Sequence, residues 1–265
     1  MLGNMKLKNI HLYDYIVIYA KSCDLHITRG DEKVFILKNS IAILEKNIAF
    51  DIEIIRNGEG ELYECFELSG ELLSSLRYVL EPVFKVSTED YTNRRDFKKK
   101  IFKIEPCSVT VEFFKKLKNC EVSSISSTYK LAYIISKCEN LSDFATSLYS
   151  SVAVSFSEKI TNLLFSDLSR RWKLSDIADQ MHISEISVRK KLEMESINFN
   201  QLLLDVRMNQ AAKLIIRSDH QIGIIASLVG YSSTSYFIKT FKDYYGITPK
   251  QFNIGIKENH CWYKN

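Results

Sequence analysis

Long apolar runs are missing from this chain of 265 residues. No stretch approaches about 18 uncharged apolar residues, so no segment reads as a membrane-spanning helix. The opening MLGNMKLKNIHLYDY has neither an apolar secretion segment nor a small-residue cleavage site, and we expect a cytoplasmic protein with no membrane partner. Glycine is scarce and scattered, nine in all, with only G-E-G at 58–60 close together in an acidic turn. That excludes a glycine-rich loop able to cradle phosphates. Three prolines leave no Gly/Pro-rich linker to mark a domain boundary. The five histidines, His11, His26, His182, His220 and His260, form no H-x-x-x-H or H-E-x-x-H pair. The six cysteines, Cys23, Cys65, Cys107, Cys120, Cys138 and Cys261, form no C-x-x-C pair. They are expected to be reduced and mostly buried. We nominate no catalytic residue, no metal ligand and no cofactor, and expect no enzyme.

Charge of one sign is also in short supply, because the net is only +4. Its distribution carries the information: 21 basic and 21 acidic residues fall in 1–154, against 15 and 11 in 155–265. All the excess lies in the second half, which suits a domain that meets phosphates.

What the chain does have is a strongly patterned second half. In GYSSTSYFIKTFKDYYGITPKQF (230–252), Phe237, Phe241, Tyr244 and Tyr245 recur at the spacing of a buried helical stripe. Ser235, Ile238, Lys239 and Lys242 fall on the opposite face. Ser232, Ser233 or Thr234 can cap this helix, and Gly246 suits the left-handed position that closes it. Thr248 followed by Pro249 starts another helix. Upstream, 221–229 reads as a short helix with Ile222, Ile225, Ala226 and Val229 inward. Ala226, Gly230 and Phe237 stand at helix-turn-helix spacing. The design occurs a second time, about 48 residues earlier, over 174–194. There Leu174, Ile177, Ala178 and Met181 form the scaffold helix and Ser184 caps the next. Val188 and Leu192 point inward, while Ile186, Arg189, Lys190 and Glu193 face out. His182 stands where the turn glycine is expected, and histidine tolerates a left-handed backbone better than most residues. One long helix over 199–217 joins the units, with Leu202, Leu203, Val206, Ala211, Leu214 and Ile215 mostly inward.

Two such units on one long helix, ending in SYFIKTFKDYYGITPKQF, resemble the DNA-binding domain of AraC/XylS-family transcription regulators over roughly 156–252. The opening YDYIVIYAKSC with ILEKNIAFDIE further resembles the enterobacterial branch that activates fimbriae and other virulence genes. Carried over position by position, the resemblance implies base-edge readers at Ile186, Arg189 and Lys190 in the first unit. In the second it implies Thr234, Ser235, Ile238 and Lys239, with Lys242 beside them. Arginine can bond guanine bidentately, lysine can reach guanine or phosphate, and isoleucine can pack on a thymine methyl. The mixture favours A/T-rich sites read partly through shape. For Arg189 and Lys190 the competing assignment is solvated helix charge, and for Ile238 it is partial burial.

The first half reads as strands at 13–20, 24–28, 34–37, 41–44, 49–55 and 62–68, after a loose lead-in over 1–9. Turn clusters separate them, strongest at Asn57–Gly58 with Gly60 following. Such spacing suggests a sandwich or barrel, and the resemblance implies a cupin-like barrel over about 10–70. Helices follow over 71–80, 108–118, 128–137 and 141–151. The basic span 92–103 reads as a solvated charge run. Val111, Phe114 and Leu117 form a stripe that either packs within the monomer or makes the homodimer contact the family implies. The fold is therefore expected to be α+β, with an N-terminal regulatory or dimerisation domain over 1–152. A helical DNA-binding domain follows over 153–265, opening with a helix at 157–170.

The resemblance also implies partners: double-stranded DNA, RNA polymerase and a fatty-acid-like effector held by the N-terminal domain. Some relatives bridge the effector's carboxylate between a basic group of that domain and one near the end of the long helix, where Arg217 lies. In the first domain the corresponding positions carry Tyr13, Ile16 and Glu67, and Glu67 would repel a carboxylate. Lys21 and Arg77 are nearby substitutes in sequence. Competing readings are a metabolite-sensing regulator of the same family and a partner-sequestering antagonist without promoter activity. Expression-level control without any ligand is a further alternative.

Overall fold

The computed structural model describes residues 5–82, 95–119, 125–150 and 155–259. The chain divides into two compact units, 1–152 together with 255–265, and 153–254.

Among the described residues the first unit has eight strands, seven in succession and the eighth after a helix: β1 (Met5–Leu12), β2 (Ile16–Ala20), β3 (Cys23–Arg29), β4 (Glu32–Ile36), β5 (Ser40–Leu44), β6 (Ile48–Arg56), β7 (Tyr63–Glu67) and β8 (Ile101–Ile104). They form two four-stranded antiparallel sheets, ordered β1-β6-β3-β4 and β7-β2-β5-β8, rather than one continuous ladder. Asparagines supply the tight reversals: Asn39, between β4 and β5, and Asn47, between β5 and β6, adopt φ of 62° and 57°. Six strands fall where composition and turn spacing placed them, and two do not. Residues 5–9, expected as a loose lead-in, belong to β1, which pairs with β6 through a bulge between Leu7 and Ile10. Asn9 sits there at φ 52°, its backbone N–H donating to Asp51 Oδ1 at 2.9 Å.

The second sheet is covered on both faces. Val17, Ile43, Phe102 and Ile104 pack in one core with residues of α1 (Gly70–Leu80), α2 (Ser108–Lys118), α3 (Ile125–Ile135) and α4 (Leu141–Ser150). Ile16, Ile18, Ala42 and Leu44, which alternation places on the other face, are buried too. Phe114 and Leu117 of α2 belong to this core, so the stripe read on that helix is spent within the chain.

The basic span is not a solvated run. Arg94 lies outside the described residues, but Arg95 is almost buried and pairs with Glu45 at 2.7 Å. Phe97, Ile101 and Phe102 are buried beside it in a short 3-10 turn and β8, leaving Lys98 and Lys99 in solvent. Cys23 is buried, Cys65 and Cys138 are half-buried, and Cys107 is exposed; all four are free thiols. Cys120 and Cys261 lie outside the described residues.

The second unit is helical: α5 (Phe156–Ser166), α6 (Leu174–Gln180), α7 (Glu185–Met194), α8 (Phe199–Arg217), α9 (Ile222–Leu228) and α10 (Thr234–Tyr245). The next helix, α11 (Pro249–Asn259), is capped by Thr248, whose Oγ1 accepts from Gln251 N. The helix expected over 157–170 ends four residues early. Asp167 turns the chain by accepting from Ser169 N, Ser169 Oγ and Arg170 N.

Candidate nucleic-acid interface

Two short helix pairs dominate the second unit, and they are built alike down to single hydrogen bonds. In the first, α6 reaches the turn and Ile183 N donates back to Ala178 O at 3.0 Å. In the second, Tyr231 N donates to Ala226 O at 2.9 Å. Both bonds close the wide loop that ends a helix in a left-handed residue. That residue is His182 at φ 53° in one unit and Gly230 at φ 84° in the other. Histidine therefore does adopt the conformation that its position requires.

Each second helix is capped by serine. Ser184 Oγ accepts from Ser187 N at 3.2 Å, and Ser233 Oγ accepts from Tyr236 N at 3.3 Å. Ser233 is thus the cap among the three candidates. Val188 and Leu192 anchor α7; Phe237, Phe241, Tyr244 and Tyr245 anchor α10, and Gly246 closes it at φ 84°. Aromatic contacts fix that second anchor: Phe241 meets Tyr245 at 4.7 Å and Phe252 at 5.4 Å between ring centroids.

These anchors decide which side chains are left outside. Arg189, Lys190, Thr234, Ser235, Lys239 and Lys242 are all exposed. Ile186 is 67% and Ile238 37% exposed, against 0% for Val188 and Phe237 beside them in sequence. Ile186 is thus open to solvent, while Ile238 keeps the partial burial that was its competing assignment. Arg189 also edges a shallow groove of about 240 Å³ with Glu193, Asn198 and Asn200.

The long helix α8 holds both pairs. Asp205 accepts from Tyr244 Oη and Gln201 Nε2, each at 2.8 Å, and burial raises its carboxyl above the usual range. Asn209, Met208 and Ala212 are buried on α8, none of them foreseen, whereas Leu203 and Leu214 are only half-buried. Sequence reading also passed over Tyr236, 63% exposed in the first turn of α10, and Arg207 on α8. A large aromatic directly before the inward Phe237 was the available signal for Tyr236.

The residues expected to hold an effector are placed differently. Arg77 of α1 stacks over the Tyr149 ring at 5.0 Å and lines a pocket of about 300 Å³ with Lys46, Gly70, Leu73, Ser74, Tyr78 and Leu148. Lys46 was not foreseen, because nothing in its turn marked it. Lys21 is not part of this pocket: its ammonium is held by Glu61 at 2.7 Å and Glu64 at 2.6 Å. Tyr13 stacks on His11 at 4.5 Å, outside the pocket lining. Arg217 is the exposed last residue of α8, in the other unit. Among the described residues no group of three or more His, Cys, Asp or Glu could hold a metal, and no helix is long and apolar enough to cross a membrane.

Comparison with known proteins agrees with this geometry. A family profile described as a helix-turn-helix domain matches residues 177–253. The HTH-type transcriptional activator FapR of Escherichia coli is 65% identical over 96% of this chain and 98% of its own. The virulence regulon transcriptional activator VirF of Shigella flexneri is 36% identical over 94% and 95%. Among solved structures, ToxT from Vibrio cholerae matches with a TM-score of 0.72 at 20% identity, covering 96% of this chain and 95% of that one. ToxT has also been solved with an unsaturated fatty acid bound. Duplicated turns, outward cations and near-full-length relatives converge: the chain belongs to the AraC/XylS family of transcription regulators, alongside enterobacterial transcriptional activators that include a virulence regulon activator.

Proposed function

We propose that this protein activates transcription by binding A/T-rich promoter sites with both helix pairs at once. α7 and α10 enter successive major-groove faces about 34 Å apart on one side of the duplex. Ile186, Arg189 and Lys190 read one face; Thr234, Ser235, Ile238 and Lys239 read the other, with Lys242 close to the backbone. The single observation that carries this reading is that all eight side chains are exposed on helices whose opposite faces are buried. Once bound, the protein would recruit RNA polymerase, displace a silencing nucleoid protein, or do both. VirF is named for a virulence regulon, which supports virulence genes as the targets; the likeness of the opening segment to fimbrial activators extends the proposal to fimbriae.

Selection of duplexes from a randomised pool with the full-length protein tests the reading. We expect enrichment of an asymmetric site about two helical turns long. Lys239→Ala should then cost about 1–3 kcal/mol on the selected duplex and relax preference at one position. Equal loss on every sequence would make Lys239 a phosphate contact instead.

A second reading concerns control. The pocket beside Arg77 and Lys46 joins cations to Leu73, Tyr78 and Leu148, a combination that suits a carboxylate with an apolar tail. Together with the ligand seen in ToxT, this supports a fatty-acid-like effector held by the first unit. Medium- and long-chain fatty acids at saturating concentration should raise the melting temperature, and Arg77→Ala should abolish the rise. No shift across the series would remove the effector from this account.

A further inference from the structure

The second unit contains a cation that the DNA-reading scheme does not use. Arg207 lies halfway along α8 and is half-buried. Its Nη2 donates to Arg170 O at 2.9 Å and more weakly to Leu168 O at 3.4 Å, in the loop that leads into α6. The guanidinium also lies over the Tyr231 ring, 5.7 Å from its centroid. Tyr231 follows Gly230 in the turn of the second helix pair, and its ring meets Phe237 at 5.5 Å and Tyr236 at 5.9 Å in α10.

Gly230 reveals how tight this junction is. A Cβ there would sit 2.5 Å from both Arg207 Nη2 and Leu168 O, so the turn of one helix pair lies directly against the lead-in loop of the other. On the far side, Arg170 stacks over Trp172 at 4.5 Å and pairs with Asp176 at 2.7 Å in the first turn of α6. One unbroken series of contacts therefore runs from α10 through Tyr231, Arg207 and the 168–170 loop to α6. The partners of Arg207 are two carbonyls and a ring, with no carboxylate among them, and its Nε is buried without a hydrogen-bond partner. Burying a cation in that way is a poor source of stability, since an apolar side chain of similar volume is often as good or better.

We propose that Arg207 is a positioning residue for DNA recognition: it holds the two reading helices at one fixed separation. The inference rests on the bipartite-site reading above. Two linked reading heads gain affinity from each other only while their geometry matches the spacing of the two boxes. Loosening the link removes that gain and leaves each head intact.

The test uses full-length protein and a duplex selected from a randomised pool by the wild type. It is compared with one duplex whose second box is scrambled and another with one base pair inserted between boxes. Arg207→Met should weaken binding to the two-box duplex about tenfold or more while changing one-box binding less than about twofold. It should also shrink the penalty for the inserted base pair, a readout that general destabilisation does not move. Arg207→Lys, which keeps a cation over the ring, should restore part of the spacing preference. Tyr231→Leu, which removes the ring and spares both carbonyl bonds, should mimic Arg207→Met and carries the test if that variant melts below the assay temperature. Equal weakening on one-box and two-box duplexes, or an unchanged insertion penalty, overturns the proposal. Failure of the wild type to select any two-box duplex overturns the bipartite reading itself, and this inference with it.

Discussion

Two residues in equivalent turns face the same backbone demand with different chemistry. His182 and Gly230 both take positive φ, at 53° and 84°. Histidine bears a strain there that glycine does not. His182→Gly should therefore raise stability by about 0.5–1 kcal/mol, read as an increased melting temperature. Gly230→Ala should do the reverse and cost about 2 kcal/mol or more, because strain adds to overlap with Arg207 and Leu168. Equal tolerance of both changes would mean that the turns are not held as described.

Glu64 gives a second prediction at this scale. Burial works against its charge, but hydrogen bonds from Lys21 and the nearby Lys118 outweigh it and hold the carboxyl down at about 2. The folded value lies below the ordinary 4.5, so the folded state keeps a carboxylate that the unfolded chain would protonate. The stabilisation is complete above about pH 4.5 and fades as pH falls toward 2. Glu64→Gln should flatten this part of the acid limb in melting curves taken across that window. An acid limb identical to the wild type would remove Glu64 from the account. The same bonds explain why Lys21 makes a poor holder for a ligand carboxylate.

At the scale of elements, the most informative link is a buried polar chain in the first unit. Arg95 bonds Glu45, Ser147 donates to the second Glu45 oxygen at 2.6 Å, and Tyr15 Oη meets Ser147 Oγ at 2.6 Å. It ties the β1–β2 connection, the end of β5, the segment before β8 and α4. Arg95→Ala would leave the Glu45 carboxylate buried without its cation and should cost about 3–5 kcal/mol in denaturant unfolding. A loss under about 1 kcal/mol would show that the pair is open to solvent. This chain also marks where reading by pattern runs out. The run RRDFKKK looked like solvated charge because only the fold brings Glu45 beside Arg95. β8 was hidden because four residues are too few to display alternation, and β1 because its bulge at Asn9 breaks the period of two. The helix pairs were legible for the opposite reason. Their caps, turns and inward stripes are local, and each repeats. Arg207 was illegible, because its partners lie 37 and 39 residues upstream in a loop without periodicity.

At the scale of the whole molecule, one unit carries two similar helix pairs on a shared long helix, each offering cations and small polar groups. The whole net charge of +4 lies in 155–265, the half that carries the helix pairs, so the basic excess is placed where phosphates would be met. The first unit has a covered sheet, a helical core and a cation-edged pocket. Hydroxyl-radical footprinting of the full-length protein on its selected duplex tests the central claim most directly. The account predicts two protected segments about one helical turn apart on the same face. Arg189→Ala should weaken one segment and Lys239→Ala the other. Protection confined to a single turn, or a pattern that neither substitution alters, would contradict it.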